Sequence, residues 1–253
     1  PGKINISGTT FEFVKEFFIC EHRGKMPVKY KGELDMYFVN GIIPGLCDEE
    51  GLPNERFLFR MQLIRLEDVE EAVMKLFTDE APPNLYFHNI SMAKSITSQV
   101  DLICRSEQVT EEVYFVIKLA SLFLITGYVS DYDQPHEASL SFMDEILPRY
   151  NIDDKFIIES KRLIINSYNE KYETLADRIL HDARYEYLGR DDFIYLSGKL
   201  LKERAEHGLE IGNEGWVEMQ KHLLVSHDFL TGTARLLRSV SIEEQINSLR
   251  DHN

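Results

Sequence analysis

Residues Val113-Tyr-Phe-Val-Ile-Lys-Leu-Ala-Ser-Leu-Phe-Leu-Ile-Thr-Gly-Tyr128 form a nearly unbroken apolar run, interrupted only by Lys118, Ser121 and Thr126. As a helix such a stretch is apolar on almost every face, which suits the centre of a helical domain and little else. A bilayer span needs about 20 residues with few charges; here Lys118 stands inside the run and acidic residues flank it. The sequence therefore predicts a central core helix from Thr110 to Tyr128 and no membrane segment.

The chain of 253 residues is long enough for one sizeable core or two smaller ones. Its apolar content of 43% excludes a disordered chain. A formal charge of −15 argues against a general nucleic-acid surface, so any anionic ligand needs a local basic spot. Cys20, Cys47 and Cys104 are odd in number and far apart, which speaks against a disulfide frame or a zinc site and points to a reducing cytoplasm. The start at Pro1 carries no signal-peptide pattern and leads the expectation that this is a piece of a longer protein.

Three segments are expected. Residues 1–43 read as a helix plus a β-hairpin: Ser7 is placed to cap a helix over Gly8 to Phe18, and hairpin arms fall near Cys20 to Lys25 and Glu33 to Val39. Residues 44–59, rich in Pro, Gly and acid, read as a linker. Residues 60–253 carry helical periodicity at 61–77, 90–106, 110–128, 137–147, 153–167, 174–188, 191–206 and 214–230, with a last packing helix and tail beyond Phe229. The fold class is thus mainly α, preceded by a small helix and hairpin unit.

The first segment carries Asn5-Ile-Ser-Gly-Thr-Thr-Phe-Glu-Phe-Val-Lys15 and Arg23-Gly-Lys-Met-Pro-Val-Lys-Tyr-Lys-Gly-Glu-Leu-Asp-Met-Tyr-Phe-Val39. Over residues 1–40 this resembles the closing segment of a class III adenylate/guanylate cyclase catalytic domain. The resemblance implies that Lys29 or Lys31 contacts a triphosphate in a completed cyclase domain, a task suited to an ammonium point charge. It also implies a partner, the remaining cyclase domain upstream, whose chemistry needs divalent metal. On its own residues the segment reads first as a solvated basic hairpin.

The helical segment carries Phe87-His-Asn-Ile-Ser-Met92, Phe123-Leu-Ile-Thr-Gly-Tyr128, His136-Glu-Ala-Ser139 and Asp182-Ala-Arg-Tyr-Glu-Tyr-Leu-Gly-Arg-Asp-Asp-Phe193. In order and spacing, from about residue 86 to 193, these resemble the HD-domain metal-dependent phosphohydrolases, including cyclic-nucleotide phosphodiesterase-like members. In that family the matching positions bind a metal, yet here they hold Met92, Leu124, Ile125 and Asp182, so three of four ligands are missing. Aliphatic side chains donate no lone pair, and a thioether is a poor ligand for hard divalent ions. The resemblance implies a degenerate HD-like domain without metal or cofactor, in which His88, His136, Asp182 and Arg184 could line a vestigial pocket for a nucleotide or other small anion.

Three functions stay open at this point: a non-catalytic regulatory or scaffolding domain of a nucleotide cyclase; a divergent phosphohydrolase using His88, His136 and Asp182; or a dimerisation or ligand-sensing module with a homodimer partner. On the residues alone, His88 and Asp182 read first as groups that hydrogen-bond each other or helix ends.

Overall fold

The computed structural model describes residues 2–30 and 32–251. It is mostly helical, with one small three-stranded sheet, and divides into two compact units between Ile64 and Arg65.

In the first unit, β1 (Ile4–Ser7) and β2 (Phe18–Val28) flank β3 (Gly32–Ile42), all antiparallel, in the order β1-β3-β2. The expected hairpin is present as β2 and β3. The expected two-stranded arrangement gains β1, whose four residues pair with Met36 to Val39 of β3. Helix α1 (Gly8–Val14) begins where Ser7 Oγ accepts from the Thr10 amide at 3.2 Å, and it ends four residues short of Phe18. Phe11 of α1 stacks on Tyr37 of β3 at 4.0 Å, which ties the helix to the sheet. The β2–β3 pairing slips between His22 and Gly24, and Gly24 sits at φ +103°, a backbone state that glycine adopts without strain. Lys29 lies exposed in the turn between the two strands, its ammonium 5.0 Å from the Tyr30 ring; Lys31 lies outside the described residues.

Helix α2 (Glu55–Glu80) runs through the division between the units. The expected linker at 44–59 therefore ends sooner, because its last residues already form the first turn of α2. The second unit continues with α3 (Ile90–Ser106), α4 (Glu111–Phe123), α5 (Pro135–Ile146), α6 (Asp154–Tyr168), α7 (Leu175–Arg184), α8 (Phe193–Glu206), α9 (Asn213–Ser226), α10 (Gly232–Leu236) and α11 (Ile242–Asp251).

Helix α4 is the centre of that unit. Phe115, Ile117, Leu119, Ala120, Leu122 and Phe123 are all fully buried, and α4 packs against α3, α6 and α7. Lys118 is buried too, its charge met by Asp101 at 2.9 Å and Glu70 at 3.5 Å. By length and composition the stretch Glu111–Val129 could cross a membrane, but 78% of it is buried inside the fold, as a core helix is.

Helix α4 is shorter than its apolar run predicts. It stops at Phe123, and after Leu124 and Ile125 the chain forms a short 3₁₀ turn over Thr126–Val129. Polar groups at the break explain it: Thr126 Oγ1 donates to the Phe123 carbonyl at 2.9 Å, and the Gly127 amide donates to Ser139 Oγ of α5 at 2.9 Å. Gly127 is needed there, since a Cβ would fall 1.7 Å from the Pro135 carbonyl oxygen.

Helix α7 likewise stops at Arg184 rather than Leu188, and α9 at Ser226 rather than Leu230.

Candidate functional site

The first motif of the helical unit ends in Asn89, which caps α3: its Oδ1 accepts from the amides of Ser91 at 2.9 Å and Met92 at 3.3 Å. That cap fixes His88 just ahead of the helix and Met92 on its first turn. His88 stacks on Tyr128 of the 3₁₀ turn with ring centroids 3.6 Å apart.

Beneath His88 lies Glu203 of α8, whose side chain is wholly buried. Glu203 accepts four hydrogen bonds: from the amides of Phe87 at 2.6 Å and His88 at 3.0 Å, from His88 Nδ1 at 2.5 Å, and from the Tyr132 hydroxyl at 3.2 Å. Burial works to raise the Glu203 pKa, but these donors, His88 foremost, hold the carboxyl below its ordinary range. Burial also holds His88 below the ordinary histidine range. A neutral ring whose Nδ1 faces an ionised carboxylate carries its proton on Nδ1, which leaves Nε2 an acceptor.

His88, Met92, Ile125, Tyr128 and Arg184 line one cavity of about 250 Å³, together with Arg204 of α8. Arg184 Nη1 donates to the Ser167 carbonyl at 2.9 Å and to Ser167 Oγ at 3.3 Å, and the guanidinium lies 4.1 Å from the Tyr168 ring. The structure thus brings two of the sequence-derived pocket residues, His88 and Arg184, to one cavity with two of the positions at which the HD resemblance implies a metal ligand, Met92 and Ile125.

Asp182 and His136 are employed elsewhere. Asp182 is fully buried on α7 and accepts from the Leu230 amide at 2.8 Å, the Thr231 amide at 2.8 Å and Thr231 Oγ1 at 2.7 Å. Both its oxygens are thereby used in holding the chain that leads into α10. The half-buried His136, at the start of α5, lies beside Tyr168 with ring centroids 5.4 Å apart. Leu124 is fully buried, its carbonyl accepting from the Tyr168 hydroxyl at 3.0 Å.

The residues at the metal positions of the HD pattern do not fit a metal ion. Leu124 and Ile125 are packing groups, and Asp182 has no oxygen free of hydrogen bonds. Among the described residues no cluster of three or more His, Cys, Asp or Glu could hold an ion, and His136 and Asp182 lie outside the cavity that His88 lines.

Sequence reasoning missed Glu203 and Arg204. They stand in an ordinary charged stretch of α8, and Glu203 is 115 residues from His88, so nothing local signals the pairing. Comparison with family models, curated proteins and solved structures finds no match for this chain.

Proposed function

We propose that the helical unit is a degenerate HD-like domain with a non-catalytic regulatory or scaffolding role, joined to the closing segment of a class III adenylate/guanylate cyclase catalytic domain. The observation that carries this reading is the employment of Asp182. The one carboxylate that survives at the ligand positions spends both oxygens on Leu230 and Thr231, so it serves the fold. Leu124 and Ile125, buried at the end of the central helix, agree with it: replacing buried polar or charged groups by packed aliphatics often leaves a fold as stable or more so. Lys29, exposed in the hairpin turn, is free to reach a triphosphate in a completed cyclase domain.

The test is an assay of the purified chain with cyclic AMP, cyclic GMP and a generic phosphoester in Mg²⁺ and Mn²⁺, beside metal analysis. We expect no stoichiometric metal and no turnover that depends on Asp182. Hydrolysis abolished by Asp182→Asn, which keeps one acceptor oxygen for the fold, would overturn the reading. In a complete cyclase carrying this chain, deletion of residues 60–253 is expected to change cyclase activity several-fold; unchanged activity would count against a regulatory role.

A further inference from the structure

We propose that the cavity between His88, Arg184 and Arg204 binds a phosphate group in its protonated, hydrogen-phosphate form. The inference rests on the cavity and not on the family reading above.

Charge comes first. Arg184 is half-buried, and no carboxylate lies within ion-pair distance of it among the described residues; its neighbours are the rings of Tyr168 at 4.1 Å and Tyr185 at 5.6 Å. Burial pushes the phenols of Tyr128, Tyr168 and Tyr187 above the ordinary tyrosine range, so they stay neutral and supply ring faces and hydroxyls but no countercharge. Among the described residues Nη1 of Arg184 alone has hydrogen-bond acceptors, Ser167 O and Oγ, which leaves most of its five N–H donors unspent. Arg204 enters the same cavity, and its Nε is buried without a hydrogen-bond partner among the described residues. Glu203, the nearby carboxylate, is wholly buried beneath His88 and brings one negative charge against the two guanidinium groups, which leaves the cavity with a net positive charge. Two guanidinium groups held with incomplete pairing in a chain of charge −15 form the kind of local basic spot that an anion needs. The planar guanidinium fork suits phosphate oxygens.

The form of the anion follows from His88. Burial favours the neutral ring and Nδ1 faces the Glu203 carboxylate, so the proton sits on Nδ1 and Nε2 offers a lone pair that asks for a donor. A fully deprotonated oxyanion has no proton to give it. Hydrogen phosphate and phosphomonoester monoanions do, whereas sulfate and the diester of a cyclic nucleotide do not. Size agrees: about 250 Å³ lies below the roughly 300–1,000 Å³ of pockets that take drug-sized ligands, and it accommodates a phosphate group better than a whole nucleotide.

The test uses the full chain in thermal unfolding at neutral pH and fixed ionic strength, with chloride replaced stepwise by inorganic phosphate, sulfate, glycerol phosphate or cyclic AMP. Phosphate is expected to raise Tm saturably, sulfate much less, and cyclic AMP not at all. A larger response to glycerol phosphate than to phosphate identifies a phosphorylated compound as the ligand, and an equal or smaller one identifies free phosphate. Arg184→Gln and Arg204→Gln should each weaken the phosphate response by about tenfold, the loss of one charge-assisted bond. Should Arg184→Gln unfold the chain through its lost Ser167 bonds, Arg204→Gln decides alone. A phosphate effect no larger than that of chloride, equal responses to sulfate and phosphate, a response to cyclic AMP, or full phosphate binding by a folded Arg204→Gln would each overturn the proposal. Asp182-dependent turnover would sink the regulatory reading and leave phosphate binding standing; loss of phosphate binding does the reverse.

Discussion

Asp182 shows how a residue can match a family pattern and do different work. Its carboxylate satisfies two backbone amides and a hydroxyl where the chain turns into α10, and burial makes each of those bonds costly to lose. Asp182→Ala is expected to destabilise the fold by roughly 3 kcal/mol, read as a lowered urea midpoint, because the two amides are left without acceptors. If Asp182→Ala matched the parent in stability, the capping role would be wrong. The sequence placed Asp182 in a motif but could not say where its lone pairs point, since its partners lie 48 and 49 residues further on. His88 and Arg184 were legible from the same motifs; the carboxylate that sets the His88 tautomer was not.

Burial lowers His181 and takes His227 down to about 4, with the two rings 4.9 Å apart. A group whose folded pKa lies below its unfolded value binds more protons when unfolded, so its contribution to stability is intact above the unfolded pKa of about 6.5 and is lost as pH falls from there towards the folded value. Stability should therefore drop between pH 7 and pH 5. His227→Phe should remove about 1 kcal/mol of that drop, after allowance for solvent screening of a partly exposed ring. Urea midpoints at the two pH values measure it, and an unchanged slope in the variant would remove His227 from the account.

Among elements, α3, α6 and α8 were legible almost to the residue because their apolar positions recur at helical spacing. The end of α4 was not, because an apolar run carries no sign of where a helix stops. What stops it is a close approach: the backbone of Gly127 meets the Pro135 carbonyl, and Ser139 receives the Gly127 amide. Strand β1 escaped notice for a related reason, as four residues hold too short an alternation and the pairing to β3 is long-range. Because the space at Gly127 is closed by backbone rather than by a flexible side chain, Gly127→Ala must displace α5 or the 3₁₀ turn. That variant should lose several degrees of Tm or fail to fold, and it should disturb the Tyr128 stack on His88. Ser139→Ala should cost about 1–2 kcal/mol by stranding one buried amide. A Gly127→Ala variant as stable as the parent would refute the packing argument.

At the scale of the whole molecule, 43 acidic residues stand against 28 lysines and arginines, and folding concentrates that charge. Self-repulsion among exposed carboxylates destabilises a compact state, and salt screens it over a Debye length that falls from about 30 Å at 0.01 M to about 3 Å at 1 M. Partly buried pairs such as Lys118 with Asp101 are screened less than fully exposed ones, so added salt relieves repulsion more than it weakens attraction. Raising sodium chloride from about 0.01 M to about 0.5 M is therefore expected to raise Tm by a few degrees, in contrast to a protein held together by surface ion pairs. A fall in Tm over that range would mean that exposed pairs such as Lys161 with Asp144 and Lys15 with Glu12 outweigh the net charge. The same screening sets the condition for anion binding. With bulk repulsion suppressed, what remains of the phosphate response at high salt is the part owed to Arg184 and Arg204 at close range.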